Sequence, residues 1–441
     1  MSKLRFVRRR GAGVFVGALA VAAICGCSAE QSTDAPATEG AVYSIALTVA
    51  GPQLHLDAIW LGILGAASLA GLFAGSLFSG PILDRYGRRG LFNYDMALFA
   101  IISVGQFWVE SAEQLLVLRL LLGVVLGFDY VVSKALVIEY APRRLRGRML
   151  SGLGIAWALG YLSAYVVGYL LKDYGLNAWR LMLVSSAIPS ALIFLLRVGI
   201  PESALWLQRK GRTQEAMAII RRYFGPEVVL SSVDSTATGH TQKAADAKLF
   251  SRKWGRRLSS ACFFYTCLVV PYYALGTFSP MVFGSLHIKD KLLAGLVYNI
   301  FLLIGTVMGA LIIDRISRRS FLLGGYFLCA TVLTALLANS YMPALVTVGL
   351  FAVFALILSA VNNLVYLYPA ELFPTEIRAT GLGVAVAVSR AGSSLATFLL
   401  PTIVLNYGGS AAVSLCIVVL VIGGIGALWA PETRYVSMGG R

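Results

Sequence analysis

The segment Gly123–Arg148 reads GVVLGFDYVVSKALVIEYAPRRLRGR. Its first part is apolar enough to lie in lipid, yet it carries Asp129, Lys134 and Glu139. A second apolar stretch, VAVAVSRAGSSLATF, carries Arg390. A charge at a bilayer centre costs about 2.5–3.5 kcal/mol on insertion scales, so such groups need a wet cavity or a partner. A carboxylate in low dielectric favours its protonated form, so Asp129 is a candidate proton carrier. Lys134 lies about 140° around a helix from it and Arg119 about 15 Å along the axis; neither is a natural partner on the same helix. Two cations facing one cavity would hold an anion, and a guanidinium offers paired N–H donors to a carboxylate or phosphate. Lys134 and Arg390 are the candidates, with Arg119, Tyr272, Tyr273, Asn362 and Asn363 as further substrate-binding candidates. Tyr272 and Tyr273 precede a glycine and a proline in VVPYYALGTFSP, a place where a helix can bend over a ligand. The cysteines and histidines have no metal-ligand spacing; no metal, cofactor or enzymatic centre is expected.

These charges must be positioned by membrane helices. Of 441 residues, 58% are hydrophobic and only 13% charged, against roughly 25% charged in soluble domains. Apolar runs of bilayer length recur. They predict an all-α polytopic protein with helices at 58–80, 91–110, 114–141, 149–171 and 179–200, then 257–282, 291–313, 320–338, 344–370, 379–403 and 408–430. The net charge of +16 sits in short loops on every second connection. That pattern marks the cytoplasmic face rather than a nucleic-acid surface.

The two halves repeat. LDRYGRR and IDRISRR place Asp84 and Asp314 230 positions apart; Glu139 and Glu371 are 232 apart; PES and PET begin 230 apart at Pro201 and Pro431. Each copy follows an even-numbered helix, so the halves share one orientation. Two parallel six-helix bundles about a pseudo-two-fold axis, with a midplane site between them, are a transporter architecture. The expected units are an N-terminal segment 1–38, a bundle 39–200, a cytoplasmic linker 201–256, a bundle 257–430 and a tail 431–441.

GPILDRYGRR, EYAPRRLRGR, PESALWL, YPAELFPTEIRATG and PETR together resemble the signatures of the major facilitator superfamily, in its sugar-porter and metabolite:proton symporter branches. The second copy departs from the first, with Ser317 where the first has Gly87. The resemblance implies a cytoplasmic charge network that acts as a gate: Gly80, Asp84, Arg85, Gly87, Arg88, Arg89, Glu139 and Arg146, and in the second half Asp314, Arg315, Arg318, Arg319, Glu371 and Arg378. The repeat favours a gate over mere topological anchors. GFDYVVS is similar to the helix 4 segment of phosphate:proton symporters, without the proline after the tyrosine. Arg119, twenty residues before Glu139, resembles the sugar-porter arginine that pairs with a helix 1 acid, but here the matching stretch is EGAVY, leaving Glu39 or nothing. The helix 7 glutamine motif of sugar porters is not found.

Residues 11–27 resemble a lipoprotein signal ending in ICGC. Parity allows either 11–27 or 41–56 as the first span, and the family's pattern favours 41–56. The resemblance and the charges imply a monomeric inner-membrane carrier importing a small organic anion with protons by alternating access. An uncoupled facilitator or exporter of a neutral solute, a phosphate:proton symporter and a non-transporting receptor remain open.

Overall fold

The computed structural model describes residues 43–140, 146–224, 251–286, 288–313, 315–338, 343–365, 368, 372–373 and 378–429. In chain order the helices are α1 (43–53), α2 (Ala58–Tyr86), α3 (Arg88–Gly105), α4 (Ala112–Tyr140), α5 (Arg146–Leu171), α6 (Ala178–Ser185) and α7 (Ala187–Arg197). Two short helices follow, α8 (Ala204–Arg209) and α9 (Thr213–Phe224). The second half comprises α10 (Arg252–Thr277), α11 (Ser279–Ser285), α12 (Lys291–Ile312), α13 (Arg318–Leu337), α14 (Ala344–Asn362) and α15 (Arg378–Ala427). Helices dominate because lipid cannot satisfy backbone polar groups, so each crossing segment must bond internally. Their outward faces carry exposed Leu, Ile, Val and Phe, such as Ile101, Leu195 and Leu311.

Without a hydrophobic drive between helices in lipid, close packing of small residues holds bundles together. Gly71 and Gly75 of α2 meet Gly123 and Gly127 of α4 so closely that a methyl at any of them would collide with facing backbone. Gly305 and Gly309 of α12 meet α14 in the same way, at the carbonyls of Leu356 and Ala360. The internal repeat therefore extends from the loops into the helix packing.

Four expected helices differ from the sequence reading. The span expected at 179–200 is two helices, α6 and α7, parted at Ser186. The seventh span ends at Thr277 and restarts at Ser279, because Pro280 can sit in the first turn of a new helix but not continue an old one. The last two spans run together as α15, broken at Gly408 (φ 82°, ψ 169°), a backbone conformation that glycine adopts without strain. The described part of the first span, α1, is buried: Ile45 and Ala46 are in the core, and Ile45 packs on Gly168 of α5. Residues 1–42 lie outside the described part, and with them Glu39 and residues 11–27.

The halves meet at the end opposite the basic loops. Gly62 of α2 faces the Phe398 carbonyl of α15, and Gly65 faces the Phe278 ring. Ser394 Oγ donates to the Ala66 carbonyl at 3.3 Å, and Tyr165 of α5 places its hydroxyl against Gly295 of α12. This end is shut.

Candidate functional site: an arginine in an aromatic box between the halves

Tyr130, Trp157 and Arg390 lie 10, 11 and 12 residues from the basic-loop ends of α4, α5 and α15. At ~1.5 Å per residue this is about 15–18 Å, half the thickness of a ~30 Å hydrocarbon core. The three residues come from both halves and converge.

Arg390 is only 4% exposed. Its Nη2 donates a long hydrogen bond, 3.5 Å, to the Tyr130 hydroxyl, and its guanidinium carbon lies 4.8 Å from the Tyr273 ring centroid and 5.6 Å from that of Tyr130. Its Nε and Nη1 have no hydrogen-bond partner, and it has no acidic partner among the described residues. Aromatic faces attract a cation but do not neutralise it. A second layer spans the halves: Tyr272 packs on Trp157 at 5.3 Å between centroids, Trp157 stacks on Tyr161 at 5.2 Å, and Tyr272 meets Tyr273 at 5.6 Å. The result is a buried guanidinium with free donors, walled by aromatic rings.

Of the substrate-binding candidates read from the sequence, Arg390, Tyr272 and Tyr273 are brought together here. Lys134 is on α4, but its side chain lies outside the described residues. Arg119 is elsewhere, buried, with its guanidinium 3.5 Å from the Tyr43 ring. Asn363 is drawn into packing: its Nδ2 donates to carbonyls of Thr306, Ser359 and Ala360, tying α14 to α12, while its Oδ1 lacks a donor. Asn362, beside it, also has an Oδ1 without a donor. Sequence reasoning passed over Tyr130, Trp157 and Tyr161. The signal was the i, i+4 spacing of Trp157 and Tyr161, which puts both on one face of α5.

The sequence reading found Asp129 no natural partner on its own helix; the structure gives it one from another. Its Oδ1 accepts from Arg197 Nη2 at 2.8 Å and from Ser133 Oγ at 3.2 Å. Arg197, the last residue of α7 and fully buried, also reaches Asp95 Oδ1 of α3 at 2.9 Å and the Phe92 carbonyl at 2.7 Å. Its partner comes from the sixth span, a distance in sequence that no intrahelical argument reaches.

At the basic-loop end, the packing of Gly80 and the side chains of Asp84, Arg88, Glu139, Arg146, Asp314, Glu371 and Arg378 lie outside the described residues. Gly87 has φ +93°, and a methyl there would lie 2.5 Å from Glu202 Oε2. Glu202, from the PES motif, accepts the backbone N–H of Arg89 at 3.2 Å and so caps α3. In the second half Ser317 caps its own helix, its Oγ accepting from Ser320 N at 3.2 Å. That explains why serine serves where the first half has Gly87. Arg85 and Arg315 are exposed; Arg318 and Arg319 donate to the carbonyls of Ile313 and Leu428 at helix C-termini. A cavity of about 500 Å³ lies at this end, lined by Arg89, Glu202, Trp206, Arg212 and Arg222 among others, away from the midplane.

The description "Sugar (and other) transporter" belongs to the family model that matches residues 12–439. The chain is 38% identical to the inner membrane metabolite transport protein YgcS of Escherichia coli K12, over 91% of this chain and 90% of that one. It is 36% identical to the putative metabolite transport protein YaaU of the same organism, over 90% and 89%. The xylose transporter XylE of E. coli, in a partially occluded inward-open conformation, shares the fold: TM-score 0.75, 22% identity, 97% of this chain and all of that one. These relatives carry solutes and are not enzymes. The chain therefore belongs to the sugar (and other) transporter family, a multi-pass inner-membrane carrier of the major facilitator fold.

Proposed function

We propose that the chain is a secondary active transporter importing a small organic anion, carboxylate in type, together with protons. The observation that carries this reading is Arg390: a midplane cation at the junction of the halves, with two free donors and no acidic partner among the described residues. Leaving hydrogen-bond donors of a buried charge unmade is costly. A substrate carboxylate would meet both, and the aromatic walls would cover the rest of a small, flat molecule.

The closed end opposite the basic loops supports alternating access. With the basic loops cytoplasmic, this conformation has its outer side shut, and rocking would open it. Glu139 with Arg146, and Glu371 with Arg378, are the proposed charge pairs that close the cytoplasmic side in the opposite state. Asp129 is the proposed proton site, Lys134 a second cation for the anion, and the working unit a monomer with 201–256 as its cytoplasmic linker.

The purified protein screened by thermal shift against organic acids, phosphate and sugars would identify the class. Stabilisation by a carboxylate, lost in Arg390→Ala, and alkalinisation of the medium during its uptake into proteoliposomes are the expected results. Stabilisation by xylose alone, unchanged in Arg390→Ala, would sink the anion reading. Asp129→Asn that still accumulated substrate against a pH gradient would sink the coupling.

A further inference from the structure

Among the described residues, the ion cluster around Arg197 holds two carboxylates against one guanidinium. Asp95 and Asp129 are 6% and 2% exposed, and Arg197 is fully buried. Each carboxylate binds the same guanidinium through its Oδ1, from opposite sides, Asp95 on Nη1 and Asp129 on Nη2. The Arg197 guanidinium also lies 3.8 Å over the Phe92 ring, which adds apolar cover. Two ionised carboxylates and one guanidinium leave a net negative charge in a buried site, which a protein avoids by neutralising a group. Asp129 Oδ1 accepts a second donor, Ser133 Oγ, besides Arg197. Asp95 has Met96 N on Oδ1 at 2.6 Å, but its Oδ2 is buried with no donor among the described residues.

Among the described residues, the surroundings offer no other counter-charge. The part of α2 that packs on α4, residues 58–79, has no titratable side chain. On α3, Tyr94 is 70% exposed and Arg89 is exposed at the loop. On α4, Arg119 lies over Tyr43 and Tyr130 faces Arg390; Lys134 and Glu139 follow it.

We infer that Asp95, Arg197 and Asp129 form one proton-binding unit, in which a single proton sits on Asp95 Oδ2 and leaves Asp129 and Arg197 as a balanced pair. Loss of that proton to water sets two carboxylates in competition for one guanidinium and loosens the tie among α3, α4 and α7. No bond other than that O–H forms or breaks. This rests on the proton-coupled reading above, and moves the protonated atom from Asp129 to its neighbour across Arg197.

Infrared difference spectroscopy of the purified protein in liposomes, taken across a pH titration, reads the proton directly. The wild type should show a protonated carboxyl C=O band that is present at neutral pH and lost at alkaline pH. Asp95→Asn should abolish it. Asp129→Asn should abolish it too, because one remaining carboxylate against Arg197 needs no proton. A band unchanged in both variants overturns the assignment. The spectrum does not depend on substrate or on coupled uptake: if the band behaves as stated while uptake ignores the pH gradient, the site stands and the coupling reading falls.

Discussion

The hydroxyl of Tyr165 occupies the space that any side chain at position 295 would need. Tyr165 is on α5 and Gly295 on α12, so this contact joins the two halves at their shut end. Overpacking a tight contact costs about 1–3 kcal/mol. Gly295→Val should therefore bias the carrier toward the conformation with that end open, and slow turnover by roughly tenfold or more, since about 1.4 kcal/mol is one decade. Labelling of a cysteine that replaces Ser394, the half-buried residue bonded to the Ala66 carbonyl at this junction, faster in the variant than in its parent, is the measurement; equal rates would show that the contact does not hold the end shut.

Arg390 separates charge from geometry. Arg390→Lys keeps the cation but loses the flat pair of donors, so affinity for an anionic substrate should fall about tenfold. Arg390→Gln loses the charge as well and should fall about a hundredfold, in line with the 2–5 kcal/mol of a buried charge pair. Equilibrium binding on the two variants checks the order. A lysine variant as weak as the glutamine one would assign the loss to shape, not charge.

Trp157 and Tyr272 join the halves at mid-depth. A well-placed aromatic pair contributes about 0.5–1.5 kcal/mol beyond area. Trp157→Ala, Tyr272→Ala and the double variant form a cycle in ligand affinity. A coupling of that size is expected, and strict additivity would mean that the two rings act separately.

Removing Arg197 should be far worse than removing either acid. Arg197→Gln strips two buried carboxyl groups of the cation they share, a change in the range of 3–5 kcal/mol. Asp129→Asn keeps a one-to-one pair between Asp95 and Arg197. Thermal unfolding of the purified variants should rank Arg197→Gln well below Asp129→Asn. The reverse ranking would mean that Asp95 and Asp129 do not depend on the guanidinium.

The helices, their inner repeat and the family were legible in the sequence because length, apolarity and motif spacing are local or strictly periodic. Arg390, Tyr272 and Tyr273 were legible for a related reason: a charge or an aromatic pair stands out inside an apolar run. Asp129 shows the limit. Its partner Arg197 is 68 residues away and ends a span, where an arginine reads as an interfacial anchor. Asp95 was hidden the same way, seven residues inside α3 and close to the basic loop. Tyr130, Trp157 and Tyr161 were missed because an aromatic residue in a membrane helix usually packs, and only the meeting of α4, α5, α10 and α15 distinguishes these. The substitution of Ser317 for Gly87 read as decay of the repeat; it is a change in which residue supplies the cap.

Glu202 lies on the first-half side of residues 225–250, yet it closes α3, and Ser317 closes α13 from within the second half. Each bundle thus carries its own helix caps, and none of those described is borrowed across the junction. A chain severed between 225 and 250 should then give two fragments that assemble when co-expressed, and co-purification with recovered uptake would demonstrate it. Glu202→Ala in the first fragment should lower its yield, since loss of an N-cap costs about 1 kcal/mol, while leaving the second fragment's yield unchanged. The carrier would behave as a heterodimer that happens to be translated as one polypeptide.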